Sequence, residues 1–381
     1  ARKLPISCLL ASPSHPLIGQ PRTAASLRKT YPPEGVTYFF LSGKVPRSPQ
    51  NGEYAITKGT AVRLVLDAFR AQKFYRDVDI AHFIFWYLPK AATSFWTYWL
   101  PGLLEKRAPG LANLLEHFSK PWIQENDTSV SQFLEGYVGD SDGKWRWLVE
   151  LSTDILNSKT NKGLITWSRW AARGFEKDGV ERDKINVVPL PMEVKPKPES
   201  SYRKPNDSQR TVLFVGLDYW RKGGDIALSA MTKVRKENPN VRMIYVGRVP
   251  QERLSEFKQE WIERYDYLER HKLLELYSSV DVFFMPTRAE AYGISILEAM
   301  ASGTPVVTSK VGAIPEIVTN DAGFLADDGD VMAEKLLDLL TDEELNFKMG
   351  TSAAMVVAKR HDPRSVSRRI YSVYANALGL L

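Results

Sequence analysis

One pattern constrains this chain more than any other: short apolar runs that do not alternate with polar residues, each followed by a stretch with helical spacing. Residues 4–11, 36–41, 79–86, 164–168 and 185–191 are such runs in the first half; residues 211–216, 241–247, 280–285 and 305–308 are the runs of the second. Between them, residues 23–29, 61–71, 169–177, 225–236, 273–279 and 293–302 read as helices; in the second of these Val62, Leu66 and Phe69 fall on one face. Strands buried on both faces belong to parallel sheets covered by helices, so the pattern predicts an α/β fold.

At 381 residues the chain exceeds what a single core usually supports. A polar stretch rich in Pro and Lys at 191–209 divides it. The expected organisation is a Rossmann-like domain over 1–190, a linker over 191–209, a second Rossmann-like domain over 210–362, and a C-terminal helix over 363–381 after Asp362-Pro363. Two such domains would hold a ligand near the strand C-termini, in a cleft between them. Apolar residues at 44% and charged residues at 25% are ordinary for a globular protein and exclude a disordered or fibrous chain. Cys8 is the sole cysteine, which excludes an internal disulfide and a cysteine zinc site. The first residues read as a strand rather than a signal peptide, and no apolar run nears 18 residues, so the expectation is a cytoplasmic protein.

The net charge of +6 is unevenly placed. Residues 1–190 carry 25 Lys+Arg against 18 Asp+Glu, a net of +7, whereas the remainder is at −1. That asymmetry fits a first domain that meets an anionic acceptor or the cytosolic face of a membrane, and equally a plain solvated surface. Aromatic crowding at 83–104 reads either as an insertion packed on its own domain or as an acceptor groove or membrane-facing edge. No zinc finger, RNP sequence or basic zipper is present, so nucleic acid is not an expected partner.

Two constellations carry chemistry. In Val215-Gly216-Leu-Asp-Tyr-Trp-Arg221-Lys222-Gly223-Gly224-Asp225 a strand ends in glycine and two cations precede a helix start. Unpaired N–H groups and the helix dipole favour a phosphate there, although the spacing is neither a Walker A loop nor GxGxxG. The second runs from Pro286 to Val307. Glu290 ends the loop after a strand, Tyr292, Gly293 and Ile294 open a helix, and Glu298 sits inside it, eight residues on. A carboxylate in an apolar helix needs a partner, and the vicinal diol of a sugar or ribose would supply two hydroxyl donors.

The second half resembles the donor-binding domain of the large retaining glycosyltransferase family 4, with the GT-B fold. The resemblance rests on Glu290-x7-Glu298, on Glu298-Ala-Met-Ala-x-Gly303-x-Pro305-Val-Val, on Gly312-Ala-Ile-Pro-Glu316 and Ala322-Gly-Phe-Leu, and upstream on Lys222-Gly223 and Leu276-Tyr277-x3-Asp281-Val. It extends over 211–340 with high specificity; in the first half only 165–170 and 184–189 share it. It implies two Rossmann-like domains facing a central cleft and a C-terminal helix that crosses back to the first. The activity implied is transfer of a hexose from a nucleoside-diphosphate sugar to a hydroxyl acceptor (a glycan, a lipid-linked or a small molecule), with retention. No metal or other cofactor is implied. Arg221 and Lys222 would hold the diphosphate, Glu298 the ribose and Glu290 the transferred sugar. Backbone around Gly216, Tyr292, Gly293 and Ile294 would approach sugar or phosphate, and Gly19, in the first loop, the phosphates or the acceptor. His117, with His82 second, is the candidate for the first-domain histidine beside the reacting sugar. The family usually has Arg after the glycine at 216; here it is Leu217, with Arg221 as a substitute.

Three Asp-x-Asp triplets (77–79, 140–142 and 328–330) match the metal-binding pattern of other glycosyltransferases but sit in the wrong context for this fold. Asn126-Asp-Thr128 and Asn206-Asp-Ser208 are glycosylation sequons, meaningful only in a secretory compartment. Remaining alternatives are a nucleotide-sugar epimerase on the same fold, a non-catalytic nucleotide-sugar-binding scaffold, and a basic membrane or nucleic-acid binder.

Overall fold

The computed structural model describes residues 6–11, 19–40, 78–84, 108, 110, 121–139, 143–202 and 209–381. They form two compact units, Ala1–Pro191 with Pro363–Leu381, and Met192–Asp362.

The first unit is built on six parallel strands: β1 (Ile6–Ala11), β2 (Val36–Phe40), β3 (Ile80–Ile84), β4 (Trp122–Glu125), β5 (Asn161–Thr166) and β6 (Ile185–Val187). Their order is β2-β1-β3-β4-β5-β6, with Cys8 paired to both Tyr38 and Ile80. Every residue of β3 and β4 is buried, as expected of strands covered on both faces. Helix α1 (Gly19–Thr30) begins at Gly19, which the sequence reading had placed in the preceding loop. The helix accommodates Pro21 because a first-turn residue has no intrahelical partner for its N–H. Residues 61–71, most of the aromatic stretch 83–104, and His117 lie outside the described residues.

The chain's last helix, Pro363–Ala377, belongs to this first unit. Val366, Ile370, Val373 and Tyr374 recur at helical spacing and pack on Ile6, Cys8, Ile80, Ile123 and Ile165. Tyr374 also closes a buried polar cluster. Its hydroxyl lies 2.6 Å from Nδ1 of His82 and 3.0 Å from the hydroxyl of Tyr38. His82 Nε2 in turn stands 2.8 Å from Glu125 Oε2. Arg28 of α1 donates to Glu125 Oε1 at 2.9 Å, and the Trp167 indole N–H donates to the same oxygen at 2.6 Å. Glu125 and His82 are fully buried and Arg28 almost so.

The second unit has the strands β7 (Arg210–Val215), β8 (Val241–Val246), β9 (Ile262–Tyr265), β10 (Val282–Met285), β11 (Val306–Thr308) and β12 (Gly323–Leu325), all parallel. Their order, β9-β8-β7-β10-β11-β12, reverses between β7 and β10. In a doubly wound sheet the carboxyl ends of two such strands form the crevice at the topological switch point. The core beneath is Val212, Phe214, Met231, Val234, Met243, Tyr245, Phe284 and Leu336. The described part of the expected linker is knitted to this unit: the N–H groups of Lys195 and Lys197 donate to Ala301 and Ser302 carbonyls at 3.0 and 3.1 Å. Lys197 turns inward, its ammonium donating to Val280 O at 2.7 Å and lying 4.4 Å from the Tyr202 ring centre. No described helix is long and apolar enough to cross a membrane.

Burial alone would raise the Glu125 carboxyl, but Arg28 and His82 outweigh it and hold it down at about 2. A depressed carboxylate gives stability that is complete above its unfolded value and lost as pH falls through its folded one. The first unit is therefore expected to lose stability between about pH 4.5 and pH 2. Arg28→Ala, which strands Glu125, should cost about 3–5 kcal/mol at neutral pH, read from urea unfolding.

Candidate active site

The loops that follow β7 and β10 meet at the switch point of the second unit. Gly216 directly follows β7, its N–H donating to Val246 O at 2.8 Å. The chain then turns through 218–223 on its own hydrogen bonds: Lys222, Gly223 and Gly224 N–H donate to Asp218, Trp220 and Tyr219 carbonyls at 2.9, 3.2 and 2.8 Å. The N–H groups of Gly223 and Gly224, expected to be open to a phosphate, are thus spent on the turn. Gly223 has φ 73°, and a Cβ there would lie 1.9 Å from the Pro286 carbonyl oxygen, so the two loops touch backbone to backbone. The helix Gly224–Glu237 starts directly after it.

Lys222 reaches across to Glu290 and forms an ion pair with Oε2. The carboxylate is fully buried and the lysine side chain is 12% exposed. Burial pushes the Lys222 ammonium below the usual lysine value, with Glu290 opposing that shift and Arg221 adding to it. Arg221 is tied down as well: its Nη1 donates to Ala289 O at 2.9 Å and its Nε to Asp218 Oδ2 at 3.2 Å. In return Arg221 O accepts from the Arg288 N–H at 2.7 Å and the Thr287 hydroxyl at 3.1 Å. Leu217 is half exposed beside these cations.

Beyond Glu290 the chain passes through buried Tyr292, whose ring meets His361 edge-on at 6.3 Å, and enters the helix Ile294–Ala301 at Gly293. Gly293 stands at φ 90°, and no side chain caps this helix start. A helix N-terminus without a side-chain cap presents N–H groups and a positive dipole end to an anion. Four residues into the helix, Glu298 is buried and paired through Oε1 with Arg270, the first residue of the helix Arg270–Ser279. Burial raises the Glu298 carboxyl above the ordinary carboxylate range, with Arg270 pulling it back. The partner that the sequence demanded for this carboxylate is thus a half-exposed guanidinium.

The structure brings together Gly216, Arg221, Lys222, Glu290, Tyr292, Gly293, Ile294 and Glu298 within one unit. Gly19 and His82 belong to the other, where His82 is enclosed by Glu125 and Tyr374. Asp328 of the third Asp-x-Asp triplet caps a helix, accepting from Asp330 and Val331 N–H, while Asp330 pairs with Lys233. Asp79 accepts from the backbone and hydroxyl of Ser7, and sequon residue Asn126 is buried. Sequence reasoning missed Arg270, Arg288 and Asp225; helix and loop spacing carries no signal for a pair such as Arg288 and Asp225, 63 residues apart, or for Arg270 and Glu298 on separate helices.

Comparison with known proteins bears on this geometry. Residues 209–342 match the family described as Glycosyl transferases group 1. Sulfoquinovosyl transferase SQD2 of Arabidopsis thaliana is 34% identical over 299 residues, 71% of this chain and 54% of that protein. Phosphatidyl-myo-inositol mannosyltransferase of Mycolicibacterium smegmatis is 34% identical over 178 residues, 45% of this chain and 46% of its own length. The chain spans about half the length of the curated relatives it matches. Among solved structures, sucrose-phosphate synthase from Thermosynechococcus elongatus superposes with TM-score 0.70 at 16% identity, over 99% of this chain and 100% of that one. HepE of Anabaena in complex with UDP-glucose gives 0.68 at 13%, over 97% and 99%. Both likenesses are of fold, and the fold is the two-domain Rossmann-like GT-B type.

Gly312, at φ 59°, packs under the site so closely that a Cβ would lie 1.7 Å from the Glu290 carbonyl oxygen. Gly312→Ala should destabilise the second unit by about 2–3 kcal/mol and move Glu290 off Lys222, checked by urea unfolding.

Proposed function

Since the chain belongs to the group 1 glycosyl transferases, we propose that it transfers a hexose from a nucleoside-diphosphate sugar to a hydroxyl acceptor. One observation carries this reading: Lys222, Glu290 and the helix start at Gly293, which no side chain caps, converge at the switch point of the second unit.

The diphosphate binds where Lys222 and the N–H groups after Gly293 face it, with Arg221 as a second positive charge. Glu290 exchanges part of its hold on Lys222 for hydroxyls of the transferred sugar. Glu298 accepts from the ribose hydroxyls, and Arg270 limits the cost of keeping that carboxylate ionised. The acceptor oxygen attacks the anomeric carbon from the face the diphosphate leaves. A new C–O bond forms as the sugar–phosphate bond breaks, the leaving phosphate takes the acceptor's proton, and configuration is retained. Lysine, arginine and helix dipole stabilise the departing charge, so the reaction needs no bound metal. His117, with His82 second, is the first-domain histidine we assign to the reacting sugar. The acceptor class that fits the basic first half is anionic or lipid-linked, at the cytosolic face of a membrane.

The expected result is slow release of free hexose from one of UDP-, GDP- or ADP-hexose without acceptor, unaffected by EDTA, with the newly formed anomer matching the donor by proton NMR. Lys222→Met should reduce turnover by on the order of 100-fold or more; turnover unchanged by this substitution contradicts the assignment. A binder without turnover would favour the scaffold reading. A ligand at 100 times its Kd adds about 2.7 kcal/mol, so a nucleotide that binds should raise the Tm visibly.

The raised Glu298 carboxyl gives a pH signature. Its ionised form accepts from a diol, so nucleotide affinity should rise with pH above the ordinary carboxylate range, and Glu298→Gln should flatten that rise. Calorimetric titrations over pH 4.5–7.5 check this, and an unchanged profile in the variant removes Glu298 from the ribose.

A further inference from the structure

Arg288 has no part in the reading above, yet its side chain crosses from the loop after β10 to both flanks of Lys222-Gly223. On the near flank its Nη1 donates to Trp220 O at 2.6 Å. On the far flank Nη1 and Nη2 donate to the two Asp225 oxygens at 2.7 Å each, in the first turn of the helix Gly224–Glu237. Its backbone N–H holds Arg221 O as well, at 2.7 Å. One residue thus binds positions 220, 221 and 225, the frame in which Lys222 is set.

We propose that Arg288 and Asp225 form a strap across the switch point that positions Lys222 and Arg221 for a nucleoside diphosphate, and so sets nucleotide affinity without touching the ligand. The inference rests on the reading that the second unit binds a nucleoside diphosphate. Three physical points support it. A guanidinium presents a planar fork that fixes both distance and angle to a carboxylate. Both terminal nitrogens of Arg288 donate to Asp225, and Nη1 also donates to Trp220 O, so its guanidinium is committed to the loop frame. Finally, the pair is partly solvated, with side chains 46% and 22% exposed, and such pairs contribute little to fold stability. The effect of breaking it belongs in ligand binding.

Titration calorimetry of the full chain with UDP, GDP and ADP, well below the Tm, tests the strap in wild type, Arg288→Ala, Arg288→Lys, Asp225→Asn and the Arg288→Ala/Asp225→Asn double variant. The expected result is that one nucleotide binds wild type and that each alanine or asparagine variant weakens it roughly tenfold. The double variant should bind no worse than either single one, and Arg288→Lys should fall between wild type and Arg288→Ala. Ligand-free Tm values should stay within roughly 3 °C of one another. If Asp225→Asn binds as well as wild type or better while Arg288→Ala is weaker, Arg288 is itself a phosphate ligand and the strap is wrong. Unchanged affinities in every variant overturn it too, as does a loss that follows the Tm with Arg288→Lys no better than Arg288→Ala. Wild type binding none of the three nucleotides overturns the donor-site reading, and the strap with it.

Discussion

A lysine ammonium buried against a carboxylate is the interaction around which the second unit is arranged. Removing either charge from water is expensive, and only close pairing with further hydrogen bonds offsets it. Lys222 and Glu290 come from loops 68 residues apart, so their pairing obliges the segments after β7 and β10 to run in contact. The glycines follow from that. Gly223 lets the first loop pass under Pro286, and Gly312 lets a third segment close beneath Glu290. Aromatic packing supports the turn from below, with Phe214 stacked on Tyr245 at 4.5 Å and Tyr219 lying over Gly224.

The buried charges of the first unit serve another end. Arg28, Glu125, His82 and Tyr374 face one another and the Trp167 indole, with solvent excluded. The carboxylate is held well below its ordinary range, which suits a structural clasp and not a general acid. What the clasp holds is the last helix of the chain, brought against β1 and β3 by Val366, Ile370 and Val373. Lys222, by contrast, has its ammonium held below the usual lysine value by burial and stands beside a helix start that no side chain caps. Charge arranged to meet a ligand and charge arranged to join elements are distinguishable on these grounds.

The α/β class, both parallel sheets and the two motif-bearing loops were legible because buried strands leave continuous apolar runs and glycine marks the strand ends. β4, β9 and β12 were not: Trp122–Glu125 and Ile262–Tyr265 are four residues each and half polar, too short for a period to register. Gly19 was misplaced because glycine and proline together read as a loop, though both are tolerated in a first helical turn. Lys197 looked like part of a solvated linker, since composition does not say that a lysine stem will turn inward to a carbonyl. At the site, Glu290 and Glu298 were evident from their spacing on one loop and helix. Arg270, Arg288 and Asp225 were not, because their roles exist only once distant loops are brought together. Lys222 was expected to meet phosphate, while its bond to Glu290 needed the fold to be seen.

The account stands or falls on where a nucleotide binds. A crystal structure of the full chain with UDP, or with whichever nucleotide raises its Tm, is the most direct measurement. The account predicts the diphosphate between Lys222 and the backbone N–H groups after Gly293, with the ribose hydroxyls on Glu298. A nucleotide bound elsewhere, with the Lys222–Glu290 pair undisturbed, would contradict it.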